Sequence, residues 1–440
     1  MSMEKDYYLR KNRLFKGGTR VMKFKTLVSI ALSVILLVGC SNKKQTEQTT
    51  EEIVTELKNP VEITFWHAMN GEQETALKKL VDKFTKENSN ITVTLQNQSS
   101  YPDLQQKITA TTASPKDLPT ITQAYPDWLL NAMDENLVVD LKPYIENKTL
   151  KFDNYDDILE GFRQASTIDG KIYGMPFNKS TEVLWYNKTL LDKHNIAVPT
   201  TYEEFAKASK EVKEKANIVG GGFDSLSNYY TTYLKNEDVT FDSKLDPTSE
   251  ASKKAVNYYL DGVKDGYFRI AGTDKYLSGP FGNETIALYV GSNAGEAFVK
   301  QGVGDKFEIG AAPYPAKYVM QQGTDLFVFS SATAEQKTAA YKLLQFLTTK
   351  ENQIEWAKAT GYIPVRKSAI ESDEYKNSGT LIAPILADAT KNLFTNPVVK
   401  GMDSAFRESN TVLESILANT NVDIKTKLEE FKSTLMGIWE

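Results

Sequence analysis

The side chains of this 440-residue chain that could do chemistry fall into two groups, and only one is spaced to do any. Nucleophiles, bases and metal ligands form the first. The two histidines, His67 and His194, are far apart and lack metal-ligand spacing. No nucleophile elbow, phosphate-binding loop or HExxH helix occurs. Gly220-Gly221-Gly222 is too short and wrongly placed for a phosphate fingerprint and reads as a turn. Carboxylates are plentiful, at 57 Asp and Glu, so counting alone does not exclude a glycosidase pair. None stands in a recognisable catalytic frame. The expectation is a protein without cofactor or metal that is not an enzyme.

Aromatic residues beside polar ones form the second group. They are Trp66-His67, Tyr101, Tyr125 with Asp127-Trp128, and Tyr362 after Gly361. All fall at the expected C-terminal ends of strands, where open α/β sheets hold ligands. A pyranose face carries weakly positive C–H bonds and an aromatic face is negative, so such rings stack on sugars while Asp, Asn and Ser exchange hydrogen bonds with hydroxyls. Core packing competes for every aromatic. Trp66 and Trp185, inside strand-like runs, read as core; Tyr125 and Trp128, flanking Pro126-Asp127, read as exposed.

The elements that must position these residues alternate. Val61 to Trp66 alternates apolar and polar as a strand does. Gly71 and Glu72 open a helix whose Leu77, Leu80, Val81 and Phe84 form one face. Ile91 to Leu95 is a strand, Tyr101 to about Thr112 a helix, and Leu118 to Ile121 begins the next strand. This β-α-β-α-β order implies a mainly parallel, doubly covered sheet. After Pro176 come a strand over Val183–Tyr186 and a helix from Tyr202 to Lys213, opened by a Thr201/Glu204 capping box. Further strands are expected over 286–290, 307–311 and 325–329, then a helix over 335–348 with Ala340, Leu343, Leu344 and Leu347 inward. Helical patterns continue to the C-terminus. The roughly 400 residues after the leader suggest two or three core-sized units.

The N-terminal end reads as an export signal. From Met22, the basic Lys23 and Lys25 precede an apolar run, Leu27 to Val38, that is too short to span a bilayer. Leu37-Val38-Gly39-Cys40 looks like a lipobox, so Cys40, the only cysteine, is expected to become an acylated N-terminus. Two acyl chains suffice for stable anchoring. Lys16-Gly17-Gly18 is what a ribosome-binding stretch gives when translated, so Met22 is the expected true start. Residues 1–40 hold eight Lys and Arg against two acidic residues, so the net −5 of the chain becomes −11 without them. Such an acidic chain is a poor partner for nucleic acid. Residues 40–58 read as the lipidated cysteine and a flexible polar tether.

Three motifs in order carry a resemblance. Phe65-Trp66-His67-Ala68-Met69-Asn70-Gly71-Glu72 is similar to the opening of extracellular solute-binding proteins of sugar and glycerol-3-phosphate importers. So are Pro176-Phe177-Asn178-Lys179-Ser180-Thr181 with Leu184-Trp185-Tyr186-Asn187-Lys188, and Trp356 with Thr360-Gly361-Tyr362-Ile363-Pro364. The resemblance covers about residues 59–440 and implies a two-lobed α/β periplasmic-binding-protein-like (Venus-flytrap) fold. Lobe one would comprise 59–180 and 323–364, and lobe two 181–322 and 365–440, with residues 1–39 removed as signal peptide. The chain would cross near 177–182, 321–324 and 362–366. Binding positions of the glycerol-3-phosphate relatives carry over to Tyr101, Ser180, Ser292, Gly323 and Tyr362. Departures are Pro126, with Asp127 one place later, where that pattern has a glutamate; Gln322-Gly323 for paired glycines; and Arg407, which needs a gap to match the phosphate-binding arginine. A weakened phosphate contact, worth about 1.5–3 kcal/mol, tips the expectation toward a neutral carbohydrate. Tyr101, Tyr125, Trp128 and Tyr362 would stack, and Asp127, Asn178, Ser180 and Ser292 would bond hydroxyls. The implied partners are ABC permease subunits and, through the lipid, the outer face of the cell membrane of a Gram-positive cell. A glycerol-3-phosphate binder, a surface glycan adhesin and a glycosidase remain as alternatives.

Overall fold

In the first sheet, Val61, Ile63 and Phe65 turn inward while Glu62 is exposed, the period of two expected of a half-covered strand. The structure, a computed structural model, describes residues 53–440; the expected signal, Cys40 and most of the tether lie outside the described residues. The strand order is Ile91–Asn97, Val61–His67, Ile121–Ala124, Asp325–Val328, Gly174–Pro176. Four strands run one way and Asp325–Val328 is reversed, so the sheet is mainly parallel as the element order predicts. The helix Glu72–Glu87 buries Leu77, Leu80, Val81 and Phe84. The helix Tyr101–Thr112 is capped by the Ser100 side chain, which accepts from the Asp103 N–H.

The second sheet is built around Ser180–Asn187, which is buried along nearly its whole length. Val319–Gln322, Leu288–Ser292 and Ile309–Pro313 all pair with it antiparallel, and Leu393–Phe394 adds in parallel beyond Val319–Gln322. Gly220-Gly221-Gly222 does not form the expected turn. Val219, Gly221 and Phe223 run extended and bridge in parallel to Ile286, Phe268 and Val290. The glycines are needed for close packing, because a Cβ at Gly220 would meet the Ser209 carbonyl of the neighbouring helix at 2.1 Å.

The chain passes between the sheets from Pro176 to Ser180 and again from Gln322 to Asp325. These passages are fastened to each other. Lys179 Nζ lies 2.5 Å from Asp325 Oδ1 with both side chains buried, and Ser166 Oγ donates to Asp325 Oδ2. Gly323 has φ +90°, and a Cβ there would stand 2.0 Å from the Asn178 carbonyl oxygen. Glycine is therefore demanded here by the neighbouring passage. Gly323→Ala is expected to cost about 1–3 kcal/mol, measured as the midpoint of urea unfolding. An unchanged midpoint would mean that the passages are free to part.

Two boundaries differ from expectation. The stretch after 364 does not go over at once to the second sheet. Arg366 donates to the carbonyls of Thr348 and Asp153, and the short helices 367–370 and 373–376 pack on the helix Lys350–Thr360. At the other end, Ile53 and Leu57 pack on the core and Thr338 donates to the Val54 carbonyl at 2.5 Å. Two apolar side chains suffice to dock the end of the supposed tether.

Candidate functional site

A cavity of about 350 Å³ opens where both sheets contribute. Tyr101 stands at the first turn of its helix with Gln105 one turn later. Tyr125 to Trp128 follow the C-terminal end of Ile121–Ala124, where Pro126 opens a short 3₁₀ turn. The lining is completed by Gln321 to Gly323 from the end of the strand Val319–Gln322 and the passage after it, Asn228 from the helix Leu226–Asn236, Thr395 to Val398, and Met402, Asp403, Phe406 and Arg407 from the helix Met402–Leu417. Of the expected site residues, Tyr101, Tyr125, Asp127, Trp128, Gly323 and Arg407 line this cavity.

The three rings form one cluster. Tyr125 and Trp128 lie 5.2 Å apart at 60°, and Tyr101 meets them at 6.1 and 6.3 Å, edge to face. The Tyr125 hydroxyl accepts from the Gly323 N–H at 3.3 Å, tying a cavity ring to a passage. Burial pushes the Asp127 carboxyl up to about 6, helped by the Asp403 charge; its own N–H, that of Trp128 and Arg407 work in the opposite direction. Arg407 is itself spoken for. Its guanidinium lies 2.6 Å from Asp403 and donates to Gln105 at 2.9 Å.

Four expected contacts do not line the cavity. Asn178 is buried behind it, donating to the Tyr101 hydroxyl at 3.1 Å and accepting from Gln123 and Thr324 at 3.1 and 2.9 Å. Its amide braces the Tyr101 hydroxyl from behind the cavity. Tyr362 stacks on Trp356 at 5.6 Å and 8° and puts its hydroxyl 3.4 Å from that of Tyr101. Ser180 pairs across from Gln322 within the second sheet. The Ser292 hydroxyl caps the following turn by accepting from the Ala294 N–H. Trp66 and Trp185 are core residues; Trp66 donates to Gln96 under the Lys107 ammonium. His67 is buried too, its Nδ1 accepts from the Met69 N–H, and burial holds its pKa down.

Sequence reasoning missed Gln105, Asn228, Gln322 and Asp403. Gln105 carried a usable signal, lying four residues after Tyr101 and so on the same helix face. The others depend on contacts between distant segments. Among the described residues, no group of three or more His, Cys, Asp or Glu is placed to hold a metal ion.

The model of the bacterial extracellular solute-binding protein family matches residues 79–383. The chain is 24% identical over 352 residues to the sn-glycerol-3-phosphate-binding periplasmic protein UgpB of Pectobacterium atrosepticum, covering 73% of this chain and 78% of that one. Its fold is similar to UgpB of Mycobacterium tuberculosis, solved with glycerophosphocholine (TM-score 0.77, 21% identity, 86% and 98% coverage). It is also similar to the ABC substrate-binding protein Lmo0181 of Listeria monocytogenes, solved with cycloalternan (TM-score 0.74, 21% identity, 87% and 99%).

Proposed function

Because this chain belongs to the bacterial extracellular solute-binding protein family, we propose that it captures an oligosaccharide between two lobes for an ABC importer. The observation that carries this reading is the cluster of Tyr101, Tyr125 and Trp128 on a cavity walled by both sheets. Ring faces meet the C–H faces of sugars, and Asp127, Gln105, Asn228 and Gln322 meet hydroxyls. Binding that favours a closed arrangement of the lobes shifts the population toward it, with the passages at 177–179 and 323–324 as hinges. The lobes are those around the two sheets. Cys40 anchors the trap by lipid near its permease, and no bond is made or broken in the solute.

Two features favour a glycan over a short phosphodiester such as that seen with the mycobacterial relative. Both lining cations have carboxylate partners, Lys179 with Asp325 and Arg407 with Asp403, so neither is free to receive a phosphate. The cavity also shares Ala165, Gln321 and Thr395 to Val398 with a neighbouring one of about 860 Å³, which gives a chain of sugars room to extend. Calorimetric titration with maltotriose, cellotriose, isomaltotriose, mannotriose and glycerophosphocholine tests the reading. Heat with at least one trisaccharide is expected, and heat with glycerophosphocholine alone would reverse the ranking. Trp128→Ala should weaken the tightest trisaccharide about tenfold, ~1.4 kcal/mol; undiminished affinity would remove the ring from the site.

A further inference from the structure

Behind the cavity wall, Glu182 is a fully buried carboxyl with an incomplete set of partners. It lies in the central strand Ser180–Asn187, on the same face as Gln322 across the antiparallel pair. Its Oε1 accepts from Asn228 Nδ2 at 3.0 Å. Its Oε2 is buried without a hydrogen-bond partner, and so is Gln322 Nε2, although the Gln322 amide is near enough to favour the ionised carboxyl. Asn228 and Gln322 both line the cavity, and Glu182 does not.

We infer that Glu182 is a positioning residue for the solute, deciding which end of the Gln322 amide faces the cavity while holding Asn228 with its carbonyl outward. An ionised carboxyl only accepts, so it draws both amide NH₂ groups to itself and leaves two carbonyl oxygens toward the solute. These accept from hydroxyl donors. A protonated carboxyl needs an acceptor for its own proton. Gln322 then turns its oxygen to Glu182 and offers NH₂ to the solute, while Asn228 keeps its bond to Oε1. One proton behind the wall thus exchanges an acceptor for a donor on the wall. The inference rests on the glycan reading for the identity of the solute, not for the amide geometry.

Burial pushes Glu182 up to about 8, with the nearby Asp224 charge adding to the rise and the Asn228 and Gln322 amides opposing it. The other titratable groups facing it are the Tyr202 and Tyr314 hydroxyls, which hydrogen-bond to each other at 2.8 Å and are both raised well above their usual range. The exchange therefore falls between pH 6 and 9.

Two measurements test this. In the first, Kd of the tightest of the four trisaccharides is measured at pH 7 and 9. Over that range the Asp127 carboxyl, raised to about 6, stays ionised and Glu182, raised to about 8, does not. Wild type should change at least threefold, Glu182→Gln should show no such change, and Glu182→Leu should bind at least tenfold more weakly at both. A Kd whose pH dependence survives in Glu182→Gln, or a Glu182→Leu variant that binds as wild type does, overturns the inference. The second needs no solute. The side-chain amide ¹⁵N resonances of Asn228 and Gln322 should move with one titration in wild type and stay still in Glu182→Gln. Resonances indifferent to pH in wild type overturn it as well. Silence of all four trisaccharides with moving amides counts against the glycan reading and leaves Glu182 in its role.

Discussion

Lys179→Met should lower the stability of the protein by about 3–5 kcal/mol, seen as a large drop in the urea midpoint with the slope unchanged. Lys179 and Asp325 are 2% and 0% exposed and 2.5 Å apart, so removing the ammonium strands a carboxylate that still receives only Ser166. The pair owes its burial to its place, one partner on each passage between the sheets. Replacing both, as Lys179→Met with Asp325→Leu, should recover a large part of the loss, because two apolar side chains leave no charge unpaired. A single variant costing under about 1 kcal/mol, the range of exposed pairs, would mean that water reaches the pair in solution.

Thermal stability should fall as pH rises from 5 to 9, by an amount on the order of a few kcal/mol. Burial raises Glu182 to about 8 and Asp224 to about 7, the latter opposed by the Leu277 N–H. In the unfolded chain both carboxyls ionise near their ordinary values of 4.5 and 3.8. Below those values both states hold the proton and the stability is whole. Above them the unfolded state releases its protons first, so stability declines until the folded groups ionise too, and then levels. Acid acts in the opposite sense on Asp246, which Thr248 holds down at about 2. A maximum near pH 4 follows, where the gain from Asp246 is complete and the loss from Glu182 and Asp224 has only begun. Melting temperatures of wild type, Glu182→Gln and Asp224→Asn against pH check this; each substitution should flatten part of the decline. A wild-type melting temperature that is flat or rising over that range would show that these carboxyls are solvated.

The helix Tyr101–Thr112 and the faces of Glu72–Glu87 and Ala334–Leu347 were legible because local spacing and caps decide them. So was the contrast between Trp185, fully buried in its strand, and the half-buried Trp128, in a turn opened by proline. The glycine run misled. Nothing local distinguishes a turn from an extended segment pressed against a helix, and the Ser209 carbonyl that requires Gly220 comes from another element. Thr201 caps its helix as expected, but the Glu204 carboxylate turns to the N–H and hydroxyl of Thr200.

The sequence by itself determined most of the kinds of element, their apolar faces, and the aromatic and polar residues at the ends of Val61–His67 and Ile121–Ala124. All of these follow from residue type and short-range spacing. Tyr362, expected at a strand end, follows the helix Lys350–Thr360 instead. Which polar groups line the cavity was decided only by tertiary structure. Asn178 and Gln322 are both amides beside a passage between the sheets. One is enclosed by Tyr101, Gln123 and Thr324, and the other reaches the cavity in front of Glu182. The physical reason is that desolvation and hydrogen-bond partnership depend on segments a hundred or more residues apart, such as Arg407 against Gln105 and Lys179 against Asp325.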